Sequence, residues 1–465
     1  MKSVNLSIGL TVILVFGVLA SFVLASGVNI EDMTIVAASQ VQPGAQQDVP
    51  MGQGPDGDVS LLPEESDALD EDDLFGTRGG YFHPYINLGV SYTDNLYNLS
   101  DDKTENFLTS ISPGIWLSLP RTKEIPIRIQ PHNSSPGGLQ YQLKDYEGTD
   151  RYQAYALAGL DYKMYSDDSD LNDTDANVEG LFRYNMRGGL SLQVLDRYTY
   201  GQDRFEVGSA SRNNLRRYYS NIFMGTVDYE LTEKLRAKVD YSNFILDYDD
   251  EINDFLNRQD NSLALFGYYM FSMKTDLFLQ YRYTDVKYDD AEAKDSTQNY
   301  IYGGISWQST EKTSFKFKIG YQKREYSDDV IAEGYDWEGL TFDLQTRYQW
   351  TEKTLFTFDL YRKSEESDSG TAVDKVTLGG RFAYSQKYTD KLSGSLSFLY
   401  ENNDYSEVGA TSRDDNRYYV RPALQYLFRE WLMTELAYTF DKRESTDDLF
   451  DYESNTVLLN LSLAM

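Results

Sequence analysis

The sequence predicts an all-β fold: a transmembrane, antiparallel, up-and-down β-barrel of about 18 strands, with 16 possible. Three observations predict it. Apolar residues recur at every second position, segments of this kind follow one another from Tyr81 to the last residue, and the links between them alternate between tight turns and long acidic loops. Side chains alternate between the two faces of a strand, so period-two patterning marks a sheet with one apolar and one polar face.

The alternation is clearest in Phe315, Phe317, Ile319 and Tyr321, interleaved with Lys316, Lys318, Gly320 and Gln322. It returns in Leu277, Leu279, Tyr281 and Tyr283 against Asp276, Gln280, Arg282 and Thr284, and in Leu392, Leu396, Phe398 and Tyr400 against Ser393, Ser395 and Ser397. Eighteen such segments are present, most of 11 to 14 residues. Twelve residues rising roughly 3.3 Å each, tilted by about 40°, span on the order of 30 Å, the thickness of a bilayer's hydrocarbon core. Strands of soluble proteins are about half as long. A polar face rich in Arg, Lys, Asp and Gln does not suit the dry interior of a sandwich, so the apolar face is expected to meet lipid and the polar face water.

Tight links such as 230–234, 271–275, 309–312 and 350–353 alternate with the acidic loops 166–175, 247–255, 288–295 and 441–453. Short turns on one rim and long loops on the other are typical of outer-membrane barrels, with the short turns periplasmic. The chain has 39 Tyr. Those near strand ends (Tyr81, Tyr97, Tyr165, Tyr248, Tyr288, Tyr326, Tyr348 and Tyr400) are expected to form interfacial girdles with their rings in lipid.

The N-terminal segment 1–25 has one basic residue, Lys2, an apolar run from Ile8 to Leu24 and small residues before Ser26. It reads as a secretory signal peptide cleaved after Ala25. Residues 26–79 hold 12 acidic residues and one basic residue, Arg78, with few large apolar groups, and read as a disordered acidic periplasmic tail. The barrel occupies 80–465. There is no Cys, which excludes disulfides and thiolate chemistry, and a net charge of −31 argues against nucleic acid as a partner.

No catalytic, cofactor or metal constellation emerges, and the chain is not expected to be an enzyme. His83 and His132 lack a nucleophile context. Asp168, Asp170, Asn172, Thr174 and Glu179 fall at calcium-loop spacings, but Asp173 stands where the turn needs Gly, and an acidic solvated loop is the better reading.

Strand parity assigns a lumen face bearing Lys163, Arg183, Arg197, Arg236, Lys238, Arg282, Lys316, Lys318, Arg324, Arg347, Lys363, Arg381 and Arg421. The same face bears Asp161, Glu179, Asp228, Asp240, Asp276, Asp343, Asp359 and Glu435. Basic groups outnumber acidic ones there in a chain that is acidic as a whole, which suits an anionic solute; paired charges that stiffen a water-filled wall are the competing reading. Residues 120–150 interrupt the rhythm on the short-turn side, with Pro126, Pro131 and Pro136. A short hairpin, a plug folded into the pore and a docking element are all compatible with that position.

In GVSYTDNLY (89–97), LTSISPGIWLSLP (108–120) and RGGLSLQVLDRYTYGQD (187–203), the chain resembles the outer-membrane β-barrel porin families associated with exopolysaccharide and capsule gene clusters. The resemblance spans 80–465 and implies a channel in the outer membrane of a Gram-negative bacterium, serving polysaccharide export, with a general diffusion porin as the alternative. Expected partners are outer-membrane lipid and lipopolysaccharide, the barrel assembly machinery that reads the last strand, an anionic polysaccharide and periplasmic export components.

Overall fold

The computed structural model describes residues 80–122, 128–129, 133–139, 141–142, 151–167, 169–204, 215–327, 334–367, 372–407 and 412–464. The signal peptide and acidic tail lie outside these residues, as do His132, Asp168 and Met465.

Eighteen long strands form one sheet. They are β1 (Gly80–Thr93), β2 (Asn106–Thr122), β3 (Tyr152–Tyr165), β4 (Asp173–Asn185), β5 (Leu190–Arg204), β6 (Leu215–Glu230), β7 (Leu235–Tyr248), β8 (Arg258–Ser272) and β9 (Thr275–Tyr288). The second half comprises β10 (Ser296–Thr310), β11 (Thr313–Tyr326), β12 (Trp337–Thr351), β13 (Thr354–Glu366), β14 (Ala372–Lys387), β15 (Leu392–Glu407), β16 (Arg413–Arg429), β17 (Leu432–Ser445) and β18 (Tyr452–Ala464). Each pairs antiparallel with its chain neighbours. β1 also pairs with β18, from Tyr85 opposite Ala464 to Thr93 opposite Thr456, so the sheet closes and no edge strand remains.

The outer face is apolar. Leu279, Ile301, Leu340 and Leu459 are all more than half exposed there, as a lipid-facing surface requires. On β11, Ile319 and Tyr321 face outward while Gln322 and Arg324 are fully buried within the barrel.

The lumen differs from the expectation of a water-filled pore. On the β2–β7 side it is packed like a soluble core: Trp116, Tyr155, Leu195, Ile222, Met224 and Phe244 form one buried apolar cluster. On the β9–β18 side, the long-loop half is filled by buried charge, including Arg324, Glu366, Asp374, Glu401, Arg413 and Asp415. The inner face is therefore part dry core and part ion-pair network, because apolar residues occupy inward positions on β3 to β7.

The tyrosine girdle also needs correction. Tyr97, Tyr165, Tyr248, Tyr288 and Tyr326 are buried, whereas Tyr348 is exposed. Alternation persists to the strand ends and puts positions 165, 248, 288 and 326 on the inner face. The lipid-facing tyrosines are instead Tyr241, Tyr281, Tyr321 and Tyr438, among others. Tyr241 donates to Asn261, Tyr281 to Asn299 and Tyr438 to Asn455, each across to the next strand at 2.6–2.9 Å.

Candidate pore and its constriction

Among the described residues, two elements cross the lumen. The first belongs to the insertion between β2 and β3, where Arg128–Ile129 pairs with Tyr141–Gln142 and presents the tip 133–139 to the opposite wall. Ser134 to Gly138 are buried. The Gly137 N–H donates to Asp260 Oδ2 at 2.8 Å, and Arg258 Nη2 donates to the Ser135 carbonyl at 3.3 Å. Gly138 has φ of +60°, and any Cβ there would run into the Phe244 ring, so the closest approach of tip to wall requires glycine. The described part of the insertion is thus a short hairpin carrying a plug.

The second element is the end of the β13–β14 hairpin. β13 pairs with β12 only as far as Arg362 opposite Phe342, then leaves the wall while keeping its pairing with β14 up to Glu366 opposite Asp374. Glu366 reaches across to β9, β10 and β11. It accepts from Tyr288 at 2.9 Å, from Gln298 at 2.8 Å and from Arg324 at 2.9 Å. Its backbone N–H donates to the Ser134 carbonyl at 2.8 Å, joining hairpin to plug. Arg324 also pairs with Asp374 at 3.2 Å.

Beneath these elements lies a cavity of about 950 Å³, reaching from Ser135, Pro136 and Leu139 of the plug to Thr232–Leu235 on the short-turn rim. Eight of the thirteen basic residues singled out by parity line it: Arg183, Arg236, Lys238, Arg282, Lys316, Lys318, Lys363 and Arg381. The other five do not. Arg197 pairs with Glu179 at 3.2 Å, Arg324 is held as described, Arg421 pairs with Glu435, and Arg347 sits on β12 opposite Thr357. Lys163 is likewise paired, with Asp175 at 2.5 Å.

Aromatic rings lie beside the cavity's cations. Arg236 lies over Tyr268 and Lys238 over Phe266, each at 4.3 Å; Lys318 lies 5.2 Å from Tyr302 and Arg282 5.6 Å from Tyr300. Several cations are partly neutralised, since Lys238 pairs with Asp240 at 2.8 Å and Lys318 with Asp343 at 3.9 Å. Arg282 and Lys316 have no ion-pair partner among the described residues. The lining holds ten basic and eight acidic side chains. The long-loop rim is acidic by contrast: in the loop after β9, partial burial and the neighbouring carboxylates of Asp247, Asp290 and Asp295 hold Asp289 above the usual carboxylate range.

Of the ionic layer above the cavity, parity found Arg324 and missed four basic residues. Arg258, Lys375, Arg413 and Arg417 lie within it. The signal was present, because Lys375 shares parity with Arg381, and Arg413 and Arg417 share it with Arg421. His83 stacks on Trp116 inside the barrel, with ring centroids 3.6 Å apart, and Glu179 accepts from Tyr155 at 3.0 Å rather than closing a cation loop.

A closed barrel with an apolar belt, a charged cavity and segments folded into its lumen defines a membrane channel of the porin class. The family described as "Putative beta-barrel porin 2" matches residues 150–465, and the chain belongs to that family of outer-membrane β-barrel porins. Solved structures similar to the chain include a BenF-like porin from Pseudomonas fluorescens, at 10% identity over 83% of this chain and 99% of that one, with a TM-score of 0.45. Two more are from Pseudomonas aeruginosa: OpdK with vanillate (11%, 83% and 100%, TM-score 0.43) and OprD (10%, 83% and 95%, TM-score 0.40). No curated protein matches the sequence.

Proposed function

We propose that the protein is a diffusion porin for small anionic solutes, and not the polysaccharide exporter that the sequence resemblance suggests. One observation carries this reading: the plug tip and the β13–β14 hairpin are bonded to each other and to the far wall, leaving about 950 Å³ beneath them. Such a volume suits a ligand of ordinary metabolite size, whereas an exported polymer needs a continuous path. The anion preference follows from the lining, where Arg282 and Lys316 have no ion-pair partner among the described residues and basic groups exceed acidic ones.

Liposome swelling tests the reading. Vesicles containing the protein should swell in isotonic glucuronate or a comparably small organic acid and stay inert in an acidic oligosaccharide of ten or more sugars. Passage of the oligosaccharide at a similar rate would restore the export reading, and exclusion of both would remove the porin one.

A further inference from the structure

The departure of β13 from the wall leaves a seam. Continuing the register would set Lys363 opposite Thr341, Ser364 opposite Leu340 and Glu365 opposite Gly339, but pairing stops at Arg362 opposite Phe342. Unpaired strand edges at membrane depth are tolerated only where protein or a water-filled cavity satisfies them. Here the cavity does so. Alternation puts Phe342, Arg362 and Ser364 on the outer face, yet all three line the lumen cavity. Along the rest of the lining, the only outward-parity strand residue is Leu235, at the rim.

Arg362 occupies the seam. Its guanidinium donates to the Leu340 carbonyl, freed by the missing partner, and lies 5.6 Å from the Trp337 ring. Gly339 makes room, since a Cβ there would meet both Trp337 and Arg362. The outer lip is apolar, with Leu340 59% exposed, while Lys363 and Arg381 stand on the inner side.

From this geometry we infer that the β12–β13 seam is a lateral portal between the lumen cavity and the leaflet on the long-loop side. Its ligand is an amphiphile with one anionic head and an apolar chain. The head meets Arg362 and Lys363, and the chain lies across Leu340 and Phe342 into lipid. The inference rests on the wall and not on the solute proposed above, so swelling results leave it untouched.

The chain contains no Cys, so introduced thiols report cleanly. In liposomes, a charged, membrane-impermeant methanethiosulfonate should modify Phe342→Cys about tenfold or more faster than Leu344→Cys, an outward position within the paired wall. Dodecanoate should slow modification of Phe342→Cys severalfold, dodecanol should not, and Arg362→Gln should abolish the protection. Ser364→Cys repeats the readout should Phe342→Cys not fold. Equally slow modification at 342 and 344 overturns the portal. Protection by dodecanol equal to that by dodecanoate, or protection that survives Arg362→Gln, overturns the anionic amphiphile.

Discussion

Arg324 on β11 and Glu366 at the end of β13 meet inside the barrel at 2.9 Å, both fully shielded from solvent. This one pair fixes where the hairpin lies, because Arg324 also holds Asp374 on the returning strand and donates to the Glu365 carbonyl at 3.1 Å. A buried charge is tolerated only with its partners in place.

Replacing Arg324 by Gln leaves the carboxylates of Glu366 and Asp374 without their cation. The expected cost is about 3–5 kcal/mol. Released from Arg324, the hairpin should leave the lumen, raising single-channel conductance and lowering the urea midpoint of the folded barrel. Adding Glu366→Gln should recover part of the midpoint. Unchanged conductance in Arg324→Gln would show that the hairpin does not constrict the pore.

The plug gives a separate handle. Gly138→Val puts a branched side chain where φ is +60° and the Phe244 ring already occupies the space. The left-handed backbone alone costs roughly 1–2 kcal/mol, and the clash adds to it. The tip should be expelled while the wall stays closed. Conductance should rise with no change in heat-modifiable migration on gels; a loss of that migration would mean that the plug is needed to build the barrel.

Much of this architecture was legible in the sequence. Alternation located all 18 strands, because each must be apolar on the lipid side whatever lies within. It lost some strand ends, where both faces turn polar: Arg413 continues the parity of Arg421 eight residues beyond it toward the loop, yet resembles a loop residue when read locally. It also could not distinguish a wet lumen from a dry one. Ile222 and Met224 face inward and Phe223 outward, so both faces of β6 read as apolar. The two pore-narrowing elements were hidden for another reason. Gly137 meets Asp260, and Glu366 meets Arg324, across sequence separations of 123 and 42 residues, and no local pattern encodes such contacts.

The register of β11 can be tested by substitution. Phe317 faces lipid and Lys316 the cavity, so Phe317→Arg should cost about 2–4 kcal/mol near the midplane, while Lys316→Gln should leave folding nearly unchanged. Urea unfolding in lipid vesicles measures both. Equal costs would put the two residues on one face and invalidate the lumen assignment.

Ion selectivity separates the cations that line the cavity from those committed to ion pairs. Arg282, Lys316 and Lys318 face the open cavity, the first two without an acidic partner among the described residues, whereas Arg324 and Arg421 are held against carboxylates. The acidic loops lie beyond the hydrocarbon span, and in physiological salt their field decays within about 8 Å. Selectivity should therefore follow the cavity and not the net charge of −31. Reversal potentials in planar bilayers under a salt gradient should show anion preference in the wild type. The triple substitution of Arg282, Lys316 and Lys318 by Gln should shift the reversal potential toward cation preference. Replacing Arg421 and Glu435 together by Gln should leave the sign unchanged, because that pair carries no net charge. Cation preference in the wild type, or a triple variant as anion-selective as its parent, would remove the electrostatic basis for an anionic solute.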